Sequence, residues 1–341
     1  MLLLAASCSV VTACGGDDET SSSSSGGSTS QSTPEAKQIK VGLVTDIGGL
    51  NDRSFNQLAN EGLERAKSEL GVEGRVLVSK ANSDYVPNLS TLAQQKYDLV
   101  IGVGFLMADA MNTVASKFPD TKFAIIDVDA TTLKSKPTNV SGALFKEQEA
   151  GYLVGYMAGL YLKDEGGDTV GSVGGQKIPP VDHYIAGFQA GVKAADPKAK
   201  TLNGYSQKFD DPAPCKELAL NQIQQGAKVI FQVAGGCGLG ALDAAKEKGV
   251  QGIGVDADQA YLGDHIMTSA LKKVDVAVYD DIKAVQDDTF KGGDNVIFDV
   301  KSGGVGIGKT NDVGAKYTDQ VKEIQDKIAS GELSDIPDTV K

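Results

Sequence analysis

Short apolar runs alternate along most of the chain with longer segments whose apolar positions recur every three or four residues. The run 39–45 (IKVGLVT) has no polar face, the signature of a parallel strand covered by helices on both sides. Asp46 and Gly48-Gly49 end it, and the stretch 54–70 follows with Phe55, Leu58, Leu63 and Ala66 on one face, which predicts a helix. The same alternation predicts strands over 75–79, 99–103, 123–126 and 140–145, with helices over 86–95 and 108–117. A helix over 148–162 opens a second series, with strands over 169–173, 200–205, 229–234, 252–255 and 267–271. Helices over 183–194, 215–225 and 274–287 belong to it, as does an Ala-rich helical pattern after Gly238. A short strand over 303–307 and a helix over 317–328 end the pattern.

Alternating strands and helices predict an α/β protein, and two series of similar make-up in 341 residues predict two lobes. Each lobe is expected to be a doubly wound parallel sheet with helices on both faces. Final segments that cross back between the lobes give the periplasmic binding protein type I architecture, hinged at the crossings. The expected N-terminal lobe takes 38–143 plus about 262–290, and the C-terminal lobe 144–261 plus about 291–341.

The first residues change the picture. MLLLAASCSVVTAC is apolar, then small, then Cys, and Val11-Thr12-Ala13-Cys14 resembles a bacterial lipobox with Cys14 as the lipidated residue. Residues 15–37 are Ser/Gly-rich and almost free of apolar side chains, which predicts an unstructured tether. Anchor, tether and folded body are the layout of a lipoprotein on the outer face of a bacterial cytoplasmic membrane. In that oxidising compartment Cys215 and Cys237, both at the carboxyl edge of one α/β layer, are expected to form a disulfide.

A net charge of −12 argues against nucleic acid or an anionic lipid surface as partner. With two histidines, His183 and His265, and no pairing motif for either, neither catalytic residues nor a metal site is expected. No cofactor is expected, and the body is expected to be monomeric.

Ligands of open α/β sheets bind beyond the carboxyl ends of the strands. Those ends carry Asp46, Gly104 and Phe105, Asp127, Gly174 and Gly175, Gly235 and Gly236, and Asp256, with Phe55 just inside the first helix. The unit 229–256 also satisfies the loose dinucleotide fingerprint, with Gly236-x-Gly238-x-x-Ala241 twenty residues before Asp256. Glycines and a strand-end carboxylate suit a ligand that carries a ribose, whereas the lack of a basic phosphate cradle favours a nucleoside or uncharged polyol over a nucleotide.

The segments VTDIGGLNDRSFNQ (44–57), GVGF (102–105), FKEQE (145–149), FDDP (209–212), VAGG (233–236), GVDADQ (254–259) and LKKVDV (271–276) resemble the basic membrane lipoprotein family. These are substrate-binding lipoproteins of ABC importers and include purine nucleoside receptors of the PnrA type. The resemblance runs in one register over about 40–330. It implies a nucleobase stacked between aromatic rings, a ribose held by carboxylates and a lysine, and an ABC permease with its ATPase as partners. By motif, Phe55 would stack on the base and Asp46 and Asn56 would bind its polar edge, while Asp256 and Lys272 would take the ribose. For the second ring the expectation is Phe231, with Phe105 and Phe209 as alternatives. Two other readings stay open: a dinucleotide-dependent oxidoreductase, from the glycine fingerprint, and a signalling or adhesion lipoprotein using the same fold.

Overall fold

The computed structural model describes residues 37–340. Its first eight elements alternate as β1 (Lys40–Val44), α1 (Phe55–Leu70), β2 (Glu73–Leu77), α2 (Tyr85–Gln94), β3 (Leu99–Gly102), α3 (Ala108–Lys117), β4 (Lys122–Ile126) and β5 (Val140–Phe145). After α4 (Glu147–Glu165) come β6 (Thr169–Gly174), α5 (Pro179–Ala195), β7 (Lys200–Tyr205), α6 (Pro212–Gln224) and β8 (Ala227–Val233). Then follow α7 (Gly235–Lys248), β9 (Gln251–Asp256), β10 (Ile266–Lys272), α8 (Val274–Gln286), β11 (Asp294–Phe298), β12 (Val305–Ile307) and α9 (Thr318–Ser330).

The strands form two six-stranded sheets, β11-β5-β4-β3-β1-β2 and β12-β10-β9-β8-β6-β7. Among the described residues every pairing is parallel except β10 with β12. Central strands such as β3 and β6 are buried at every position, as layers of helix on both faces require. Each sheet has the doubly wound order expected from the sequence.

The lobe boundaries differ from the expectation. β10, expected in the N-terminal lobe, pairs with β9 in the second sheet, Leu271 opposite Asp256. β11, whose span was assigned to the C-terminal lobe and carried no predicted strand, pairs with β5 in the first. Which sheet a strand joins depends on non-local pairing that an apolar run does not encode. β11 also lacks a buried run, with Val296 and Ile297 exposed at the sheet edge. The crossings therefore fall at Lys146, Lys273 and Asp299. Lys146 N–H donates to Phe298 O at 2.9 Å, the Phe145 and Phe298 rings stack at 4.9 Å, and Glu149 accepts from Val300 N–H at 2.8 Å. These contacts tie the hinge segments together.

In the second lobe α4 and α5 pack almost backbone to backbone. A Cβ at Gly155 would stand 2.1 Å from Phe188 O, and one at Gly187 would stand 2.1 Å from Gln148 O. This close approach sets the position of Tyr184 on α5. Cys14 and the tether up to residue 36 lie outside the described residues. Lys37, expected at the tether's end, is already held, its carbonyl accepting from Gln286 Nε2 at 3.0 Å.

Cys215 on α6 and Cys237 in the first turn of α7 are joined, with Cα atoms 5.6 Å apart and both side chains buried. The bond closes a loop between residues 22 apart. Replacing both cysteines by Ala is expected to lower unfolding stability by about 3 kcal/mol. Urea unfolding of oxidised wild type against the double variant checks this, and equal midpoints would contradict it.

Candidate functional site

The carboxyl edges of the two sheets face each other across a cavity of about 580 Å³, including its mouth. Asp46, Phe55, Asn56, Phe105 and Asp127 line it from the first lobe, and Gly235, Asp256 and Lys272 from the second. These eight residues, all singled out from sequence, thus meet in one place, whereas Gly174, Gly175 and Gly236 do not line the cavity. Phe231, the expected second ring, is fully buried away from the cavity, 5.0 Å from the Phe188 ring and edge-on to Tyr184. Its position on β8 turns it towards the helix layer, so it cannot supply a stacking face. Phe209, carried by the loop before α6, lines the cavity instead.

Asp46 follows β1. Its Oδ1 accepts from Gly48 N–H at 2.9 Å and from Asn56 Nδ2 at 2.7 Å. Asn56 Oδ1 accepts from Asp46 N–H, and its Nδ2 also reaches Asp52 at 3.2 Å. Asn56 therefore spends its amide on protein groups and acts by holding Asp46, whose Oδ2 has no hydrogen bond from the described residues. Burial, opposed by the Asn56 and Gly48 hydrogen bonds, pushes the Asp46 carboxyl up to about 6. Gly104 keeps this corner open: a Cβ there would stand 3.2 Å from Asp46 Oδ2 and 3.3 Å from the Phe55 ring.

Lys272 closes β10 and is 2% exposed. Its Nζ lies 2.6 Å from Asp127 Oδ1 and 2.8 Å from Glu147 Oε1. The same ammonium sits 5.1 Å from the Phe55 ring centre and 4.8 Å from that of Phe145. Burial works against its charge, but Asp127, Glu147 and Asp256 together hold its pKa above the ordinary lysine value. Asp256 accepts from Tyr184 OH at 3.1 Å and from Ser54 Oγ at 2.8 Å. Asp127 and Asp256 both adopt left-handed backbone, with φ of 68° and 59°. That conformation is uncommon outside glycine, and it turns each carboxylate into the cleft.

Four carboxylates, those of Asp46, Asp52, Asp127 and Asp256, thus line the cavity against one ammonium. The walls are apolar, with Phe55, Phe105 and Phe209 joined by Ile178, Pro180 and Val181. Such a site offers acceptors and ring faces to an uncharged ligand rich in donors and repels anions. The glycine fingerprint has another use here. Cys237 N–H donates to Phe209 O at 2.9 Å, and a Cβ at Gly236 would stand 3.2 Å from that oxygen. Protein backbone fills the place that a pyrophosphate would need at this helix start.

The 178–181 wall was missed because the helix was expected to begin at 183, whereas α5 begins at Pro179, and Tyr184 lay within the expected helix with nothing in the pattern to mark it as facing the cavity. Pro179-Pro180, suited to the first helical positions, was the available signal.

The family model for PnrA-like ABC transporter substrate-binding proteins matches residues 39–339. An uncharacterized lipoprotein of Pyrococcus abyssi is 42% identical over 91% of this chain and 78% of its own. A protein of Lactococcus lactis named as an ABC transporter nucleoside-binding protein is 32% identical over 87% of this chain and 88% of its own. Among solved structures, an ABC transporter solute-binding protein of Aeropyrum pernix superposes with a TM-score of 0.79 at 31% identity, covering 86% of this chain and 92% of that one.

Removing the buried ammonium leaves Asp127 without a counter-charge and Glu147 with His183 alone, whose Nδ1 lies 3.0 Å from Glu147 Oε2. Lys272→Met is expected to cost about 3–5 kcal/mol of stability at pH 7, as for other broken buried ion pairs. Urea unfolding measures it, and a loss below about 1 kcal/mol would place the cluster among solvated pairs.

Proposed function

The chain belongs to the PnrA-like family of ABC transporter substrate-binding proteins, and we propose that its ligand is a purine nucleoside, delivered to the permease and ATPase of an importer. The carrying observation is that one cavity is lined by a free acceptor, Asp46 Oδ2, by ring faces and by the carboxylate cluster around Lys272. Phe55 and Phe209 supply faces for a flat base, and Asp46 Oδ2 supplies an acceptor for its N–H edge. In this reading Asp256 and Asp127 accept hydrogen bonds from the sugar hydroxyls, and Lys272 and Asn56 position carboxylates. The name of the Lactococcus relative agrees with such a ligand.

The excess of carboxylates supports a nucleoside over its phosphate, since a phosphate would enter a cleft already short of positive charge. It also speaks against the dinucleotide reading, as does the covered start of α7. For attachment we propose Cys14 as the lipid-bearing residue, with the body held as a monomer outside the cytoplasmic membrane. The names of the Pyrococcus relatives as lipoproteins support this.

Isothermal titration with inosine, hypoxanthine and inosine 5′-monophosphate tests the ligand and its orientation. Phe55→Ala is expected to weaken inosine and hypoxanthine alike, by about 1–3 kcal/mol. Asp256→Ala is expected to weaken inosine by about 1.5–3 kcal/mol and to leave hypoxanthine unchanged. The monophosphate should bind wild type more weakly than inosine does. Tighter binding of the monophosphate, or equal effects of Asp256→Ala on inosine and hypoxanthine, would contradict the assignment.

A further inference from the structure

Ser54 is the N-cap residue of α1, and a serine there ordinarily turns its hydroxyl onto the first amides of its own helix. Here it does not. Asp52 has taken that work: its carboxylate accepts from Ser54 N–H at 3.1 Å, Asn56 N–H at 2.8 Å and Gln57 N–H at 3.1 Å. The Ser54 hydroxyl is thereby released, and it reaches the second lobe, 2.8 Å from Asp256 Oδ2 and 3.1 Å from Val255 O. The side chain is fully buried. A hydroxyl has one proton, and the carboxylate is the stronger and nearer acceptor.

The preceding residue crosses the same seam. Arg53 O accepts from Gln259 Nε2 at 3.1 Å, and Gln259 is itself fixed in the second lobe through Gln232 Nε2 and Val255 N–H, both of which donate to its Oε1. Two successive residues of one lobe thus bond to the other, and one of those bonds ends on a carboxylate that lines the ligand cavity. Tyr184 holds the second oxygen of that carboxylate from within the second lobe.

We propose that Ser54 is a positioning residue that fixes Asp256 across the lobe seam, so that lobe closure and the orientation of the ligand-facing carboxylate are one event. The Ser54 bond exists only with the lobes together and fixes the carboxylate in the same step. An open protein would offer Asp256 on Tyr184 alone. Capture, which begins from the open form, does not depend on Ser54, whereas release requires its bond to break. The identity of the ligand used in the kinetic arm rests on the nucleoside reading above.

The test compares wild type, Ser54→Ala and Tyr184→Phe. Stopped-flow measurement with inosine is expected to show Ser54→Ala raising the dissociation rate about 10-fold, as loss of one hydrogen bond to a charged group implies, with the association rate unchanged within about 2-fold. Spin labels placed one on each lobe should give longer inter-lobe distances for ligand-free Ser54→Ala than for wild type. Tyr184→Phe, which removes a bond inside one lobe, should leave those distances as in wild type. A Ser54→Ala protein with wild-type distances overturns the proposal, whether or not inosine binds. So does an unchanged dissociation rate. Failure of wild type to bind inosine would instead count against the nucleoside reading, with the distances still deciding the role of Ser54.

Discussion

The cleft depends on one buried ammonium. Lys272 stands in the second lobe, yet it binds Asp127 of the first lobe and Glu147 just past the first crossing. Taking these charges out of water is costly, and the cluster persists because each charge meets an opposite one at hydrogen-bonding distance. The arrangement leaves more carboxylate than ammonium in the floor of the cavity. That imbalance sets the chemistry of what can enter: a neutral molecule with hydroxyl and N–H donors gains hydrogen bonds, and an anion meets repulsion.

The fold delivers this floor by repetition. β4 and β9 hold equivalent places in the two sheets, and each leads to an aspartate in left-handed backbone, Asp127 and Asp256. Such a conformation costs a non-glycine residue about 1–2 kcal/mol, which the surrounding hydrogen bonds and the Lys272 pairing must offset. The two acids converge because the carboxyl edges of the sheets face each other. The glycine-mediated contact of α4 with α5 then brings Tyr184 close enough to hold one oxygen of Asp256. Backbone packing some distance from the cavity thus reaches the ligand-facing atoms.

Much of this was legible in the chain because strand-end residues of open α/β sheets are functional by geometry. Asp46, Phe105, Asp127, Gly235 and Asp256 all follow apolar runs and line one cavity, whereas Gly174 and Gly175, named by the same strand-end rule, do not line it. Phe231, expected from the family resemblance and not from the strand-end rule, lies inside β8, where alternation points it to the helices. Phe209 was only an alternative because a loop residue carries no periodic signal. The roles of Lys272 and Asn56 were hidden for a different reason. Two of the three Lys272 donors and the Asn56 Nδ2 amide go to neighbouring carboxylates, and sequence spacing does not show how a side chain's donors are shared. The sheet membership of β10 and β11 was illegible because it is set by pairing across long separations.

Mass spectrometry of the small molecule released by denaturing freshly expressed protein addresses the chemistry of the cleft most directly. A purine nucleoside in the extract is the expected result. A nucleotide, another anion, or a sugar without a base would contradict it.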